Sequence, residues 1–148
     1  MKFKKLLLSA LVLLSIDAMA QLNVTLRGQL AYPAETCANI CGYVDSLGNE
    51  YALVGAATGM SIVDITDPTS PVEVLQVPNI NDEWKEIKTY GKYAYVTTEG
   101  GGGLQIVNLS SLPNAAGITY HNWTGDGILT GGMALDNIHA LHIDGHYV

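Results

Sequence analysis

Beyond residue 37, apolar residues fall in short runs at every second position, broken by glycine, proline and Asp/Asn turns. That alternation is the signature of half-buried strands rather than helices. It predicts strands near 40–44, 51–56, 61–65 and 72–77, then near 84–89, 93–98, 104–108 and 118–123. Leu47-Gly48-Asn49, Thr58-Gly59 and Tyr90-Gly91-Lys92 supply the turns, where glycine and asparagine accept positive φ. Asp67-Pro68 and Ser70-Pro71 end one strand, because proline cannot continue a ladder. Glu99 to Gly103 is a wide turn with four consecutive glycines, and Ser110 to Pro113 has room for one helical turn.

The pattern repeats. YALVGAATGMSIVDITDP at 51–68 is answered by YAYVTTEGGGGLQIVNLS at 93–110, and a third version opens at Gly145-His146-Tyr147-Val148. The tyrosines that lead the second strand of each unit, Tyr51, Tyr93 and Tyr147, lie 42 and 54 residues apart. A recurring unit of this length implies one supersecondary module that buries its faces only by stacking on copies of itself. Four antiparallel strands at a period of roughly 40 residues fit the blade of a β-propeller. The expected fold is therefore all-β, an incomplete propeller of about two and a half blades. Blade 1 spans 38–78, blade 2 spans 79–124, and 125–148 starts a third blade with a strand over His139–Ile143 and a turn at Asp144-Gly145. Residues 21–37 contain Val24 to Leu30, which is similar to Val72 to Val77, and are expected to form a ring-closing or edge strand. Because propellers close with four to eight blades, the chain is expected to be the N-terminal part of a longer protein.

Residues 1–20 fall outside this pattern. Lys2, Lys4 and Lys5 precede an apolar run from Leu6 to Ile16, and Ala18-Met19-Ala20 offers small residues at a cleavage junction. The run is shorter than the roughly 20 residues that a spanning helix needs, so it is expected to be a signal peptide cleaved before Gln21. The expected location is secreted or at the cell surface, and no later segment is apolar enough to span a membrane. Past residue 20, four basic and thirteen acidic side chains give a formal charge of −9, against −7 for the whole chain. Such a surface repels nucleic acid and anionic lipid.

Export also bears on Cys37 and Cys41, the only two cysteines. On one straight strand they would lie about 13 Å apart, too far for a bridge. Either a turn at Ala38-Asn39-Ile40 joins them in a disulfide, or they stay as two reduced, packed thiols. Metal binding is disfavoured because no second cysteine pair completes a site.

The ordered motifs resemble a known group. Asn39-Ile40-Cys41-Gly42-Tyr43-Val44-Asp45, Glu50-Tyr51-Ala52-Leu53-Val54-Gly55 and Ser61-Ile62-Val63-Asp64-Ile65-Thr66-Asp67-Pro68 belong to the first unit. Trp84-Lys85-Glu86-Ile87-Lys88 and Gly102-Gly103-Leu104-Gln105-Ile106-Val107-Asn108-Leu109 belong to the second. Together they are similar to LVIVD-type repeats of the choice-of-anchor B family. The resemblance implies an exported bacterial β-propeller, held at the surface by a variable C-terminal segment. It carries no catalytic residue over to this chain.

Individual residues add little chemistry. His139, His142 and His146, with Asp144, are the nearest approach to a metal set, but His139 and His142 face opposite ways on a strand. These three histidines and Trp123 are kept as candidate ligand contacts. The serines lack a Gly-x-Ser-x-Gly elbow, the tetraglycine turn lacks the lysine of a phosphate loop, and the turn aspartates lack calcium-loop spacing. The sequence thus points to no enzyme, no catalytic residue, no cofactor and no metal. The expectation is a binding or scaffold module for a protein or glycan ligand. The competing reading is an exported hydrolase or lyase whose site lies in further blades.

Overall fold

The computed structural model describes residues 24–126, 132–145 and 147–148. The expected signal peptide, His146 and part of the loop after blade 2 lie outside the described residues. The alternating pattern becomes two four-stranded antiparallel sheets, and the all-β expectation holds. The first sheet is a meander of β1 (Cys37–Val44), β2 (Glu50–Ala56), β3 (Gly59–Asp64) and β4 (Val72–Pro78). The second is a meander of β5 (Ile87–Tyr90), β6 (Tyr93–Val96), β7 (Leu104–Asn108) and β8 (Thr119–Trp123). The one helical turn among the described residues lies at Ala115–Gly117, slightly later than expected.

The sheets stack face to face, and a single core fills the seam. Tyr51, Leu53, Met60, Ile62 and Val77 of the first sheet meet Ile87, Ala94, Val96, Val107 and Leu109 of the second unit. Each of these ten side chains is at most 1% exposed. Burying a large aliphatic side chain contributes about 1.5–3 kcal/mol, so the seam is a main source of cohesion between the units.

Register shows that the two units are one design used twice. Ile40 pairs with Val54 as Ile87 pairs with Val96, and Val63 pairs with Ala52 as Val107 pairs with Ala94. On the opposite side, Ile62 pairs with Leu53 and Leu75 as Ile106 pairs with Tyr95 and His121. Each sheet thus has a leading face and a trailing face. The seam joins the trailing face of the first sheet to the leading face of the second.

Three segments differ from the sequence reading. The strand expected from Trp84 starts at Ile87, because the 80–86 linker is tied to the first unit by Asp82 N on the Ala57 carbonyl and folded on itself by Lys85 Nζ on the Ile80 and Asp82 carbonyls. Residues 24–36 form no strand. They run as a strap, with Gly28 so close to the 68–71 loop that a Cβ would lie 2.4 Å from the Pro68 carbonyl oxygen. Pro68 and Pro71 have no amide hydrogen to offer a ladder there. Residues 139–143 likewise form no strand. The expected turn after them does close, through paired Asp144–Tyr147 backbone bonds. Gly145 sits at φ 59°, as Gly91 sits at 55° between Tyr90 and Tyr93.

Candidate functional site: the rim and the seam

The polar residues gather along the rim where one unit hands over to the next. Lys85 is 3% exposed. Its Nζ donates to the carbonyls of Ile80 (2.9 Å) and Asp82 (3.0 Å) and lies 3.4 Å from Thr98 Oγ1. Burial pushes the ammonium below the usual lysine value, and the nearby Asp82 charge offsets part of that shift. The Asp82 carboxylate accepts from Thr98 Oγ1 at 3.0 Å and from the amides of Glu99 (2.6 Å) and Gly100 (3.1 Å). Burial alone would raise its pKa, but these donors outweigh it and hold the carboxyl below the usual aspartate range. Lys85 and Asp82 therefore clamp the inter-unit linker to the glycine-rich β6–β7 turn. Glu35 does the same work in the first unit, accepting from the amide (3.3 Å) and hydroxyl (2.9 Å) of Thr58 in the β2–β3 turn.

A second device recurs along the seam. Ile87 N donates to Asn39 Oδ1 at 3.2 Å, and Leu141 N donates to Glu86 Oε2 at 3.0 Å. Asn39 and Glu86 each stand just before the apolar residue that anchors the first strand of their unit. Each unit therefore caps a backbone amide of the next. Glu86 also holds Lys88 at 2.7 Å, and that pairing is the main reason its pKa is lowered. Neither acceptor was singled out from the sequence, although their common position before Ile40 and Ile87 was the signal available.

At the far end of the first sheet, Asp45 organises the β1–β2 turn. It accepts from the amides of Leu47 (2.8 Å) and Asn49 (2.9 Å), from Asn49 Nδ2 (2.8 Å) and from the Tyr51 hydroxyl (3.3 Å). Burial opposes ionisation of Asp45, but those donors keep its pKa below the usual range. Burial and the Asp45 charge push the Tyr51 hydroxyl up to about 12. This is turn capping by an aspartate.

The candidate residues are dispersed. Cys37 and Cys41 are free thiols on one strand. The turn a bridge requires is not formed: β1 passes through with only a bulge between Cys37 and Asn39, and a strand holds residues four apart at about 13 Å. Trp123 lies on the edge strand β8, paired with Leu104, and is 43% exposed. Its register counterpart in the first sheet is Val77, paired with Met60 and fully buried in the seam. Position alone thus makes Trp123 a face residue of the second sheet. His139 is exposed and its Nδ1 pairs with Glu99 Oε1, beside the Asp82 clamp. His142 is exposed one residue beyond Leu141, and His146 lies outside the described residues. Among the described residues, no group of three or more His, Cys, Asp or Glu side chains is placed to hold a metal ion, and no helix is long and apolar enough to cross a membrane.

The leading face of the first sheet borders a cleft of about 790 Å³, roofed by residues 27–32 of the strap and walled by Ile40, Val54, Val63, Ile65 and Pro71. Tyr32 reaches across it, its hydroxyl 2.8 Å from Ser61 Oγ, and Ser61 donates to Glu73. Ser61 is fully buried beneath the strap, and the Tyr32–Ser61–Glu73 chain ties the strap to β3 and β4.

With that geometry in place, the pattern of a known repeat matches residues 46–78 and 84–116. The chain carries two LVIVD repeats. This repeat is associated with β-propellers, and each match falls within one of the two sheets. The first LVIVD repeat covers β2 to β4, and the second covers β5 to β7 and the helical turn. No curated protein and no solved structure matches the chain.

Proposed function

We propose that the chain is an exported β-propeller module of the choice-of-anchor B kind, which binds a protein or glycan partner and performs no catalysis. The observation that carries this reading is the clamp. The Lys85 ammonium and the Asp82 carboxylate are committed to holding the linker and the Glu99–Gly100 turn in one shape. Trp84, 57% exposed, projects from the same linker, and His139 joins the same turn through Glu99. A stiff rim with an exposed aromatic suits recognition, since binding residues sit on loops positioned by a rigid scaffold and aromatics are favoured anchors. The basic, apolar and small-residue order of residues 1–20 supports export.

Two measurements test the proposal. N-terminal sequencing of protein recovered outside the cytoplasm is expected to begin at Gln21; retention of Met1 removes the export claim. Tryptophan fluorescence titrated with soluble bacterial and plant polysaccharides is expected to report saturable binding that Trp84→Ala abolishes. Release of reducing ends or unsaturated sugars from those polysaccharides, lost in Glu99→Gln or His139→Ala, would establish a hydrolase or lyase instead.

A further inference from the structure

The segment after the second sheet repeats the linker before it. Asp136, Ile138, His139 and Leu141 each lie 54 residues after Asp82, Trp84, Lys85 and Ile87, the same interval that separates Tyr147 from Tyr93. The two stretches are attached alike, with Ile87 N capped by Asn39 and Leu141 N by Glu86. Residues 135–141 are bonded to the second unit at further points. Gly103 N donates to the Asp136 carbonyl and Ile138 N to the Thr98 carbonyl, each at 2.9 Å. Gly102 N donates to Asp136 Oδ1 at 2.8 Å, and the Thr97 hydroxyl to the His139 carbonyl at 3.3 Å.

The stretches differ in their cation. Lys85 is sealed at 3% exposure and spends its protons on two linker carbonyls. His139, in the equivalent place, is exposed, and its Nδ1 pairs with Glu99 Oε1 on the β6–β7 turn. Histidine is the side chain whose charge ordinarily changes between pH 5 and 8. The groups that face this pair are mostly carboxylates. The linker brings Asp82, which accepts from the Glu99 amide. The start of β5 brings Glu86 and Lys88, already paired at 2.7 Å. The segment itself brings Asp136 on Gly102 N. Asp82 and Glu86 are both held below their usual ranges, so they stay ionised across that interval.

We propose that the joint between the second sheet and residues 135–141 is a pH-sensitive latch, closed by protonated His139 on Glu99 and loosened when the imidazole loses its proton. The sign follows from the charge. The attraction exists only while the imidazole is protonated, so docking is firmest below the ordinary histidine range and weakens as pH rises through it. Of the contacts named above, His139–Glu99 is the one whose strength changes in that window. The joint between the two sheets has Lys85 and the Asn39 amide cap in its place and does not share the response.

Hydrogen exchange of the full chain, read by NMR and divided by the intrinsic exchange rate at each pH, tests the latch. Protection of Ile138 N and Leu141 N is expected to fall about two- to fivefold between pH 5.5 and 7.5, the range of an exposed ion pair, while Ile87 N is unchanged. His139→Gln and Glu99→Gln are expected to hold protection at the lower level at both pH values. His139→Lys, which restores a cation at the Lys85 position, is expected to hold it at the higher level at both. His142→Gln is expected to keep the response of the unaltered chain, which separates the latch from the neighbouring histidine. Equal protection at the two pH values in the unaltered chain overturns the proposal. So does a response that survives His139→Gln, one that His142→Gln removes, or a parallel fall at Ile87, which would report a loss of stability in the whole fold.

Discussion

Truncating Ile87 and Ile40 to alanine removes the same atoms from register-equivalent positions, and the two losses should differ severalfold. Ile87 is 1% exposed and packs in the seam; Ile40 is 67% exposed. Full burial of such a side chain is worth about 1.5–3 kcal/mol in transfer alone. The cavity left in a packed core raises the cost of Ile→Ala to about 2–5 kcal/mol. Ile87→Ala is therefore expected to cost about 3 kcal/mol. At Ile40 about a third of the surface is covered, by strap and sheet rather than by a packed seam, so the transfer contribution is about 0.5–1 kcal/mol. Urea unfolding followed by tryptophan fluorescence and far-ultraviolet circular dichroism reads the difference. The midpoint should fall far more for Ile87→Ala than for Ile40→Ala, with unchanged slope. Equal losses at the two positions would refute the claim that inter-sheet burial, and not residue type or register, decides the energetics.

Other consequences follow from the rim and the strands. Asp82 has a lowered pKa in the folded chain, so the stability it contributes is present above the ordinary aspartate value of 3.8 and is lost as pH falls through the lower folded value; Asp82→Asn should flatten the acid limb of a stability–pH curve below that point. Glu86→Ala should free the Leu141 amide, seen as faster hydrogen exchange at Leu141, while Ile87, capped by Asn39, keeps its protection. Gly103 sits at φ 76° with the Trp123 carbonyl 2.3 Å from where a Cβ would be; Gly103→Ala should cost at least about 1–2 kcal/mol for the left-handed backbone alone, measured as a fall in urea midpoint. Alkylation of the folded chain without reductant should add two labels, one each at Cys37 and Cys41, and mass spectrometry showing none would restore the bridge.

Much of the fold was legible because it is local. Tyr51 and Tyr93 open second strands as their apolar runs indicated, and Thr58-Gly59, Gly91 and the 99–103 glycines make the turns their conformational freedom suits. The misread segments are those whose partners lie elsewhere. Trp84 to Glu86 have a strand-like pattern, but Lys85 reaches two carbonyls of the linker and draws them out of the ladder. Val24 to Leu30 resemble an edge strand, but they lie against Pro68 and Pro71 instead of an open ladder. The clamp and the seam caps were hidden for the same reason. Asn39 with Ile87 and Glu99 with His139 stand 48 and 40 residues apart, and no local motif announces such pairs.

By itself the sequence determined the alternation, the repeating unit and the sidedness of each strand, because side chains in a strand point to opposite faces and a one-residue slip would invert them all. Only the tertiary structure decided which faces are covered and by what. Ile40 and Ile87 share residue type and pairing register, yet one is open and the other sealed. Burial belongs to the body that arrives on a face, and period two records a face without naming its partner.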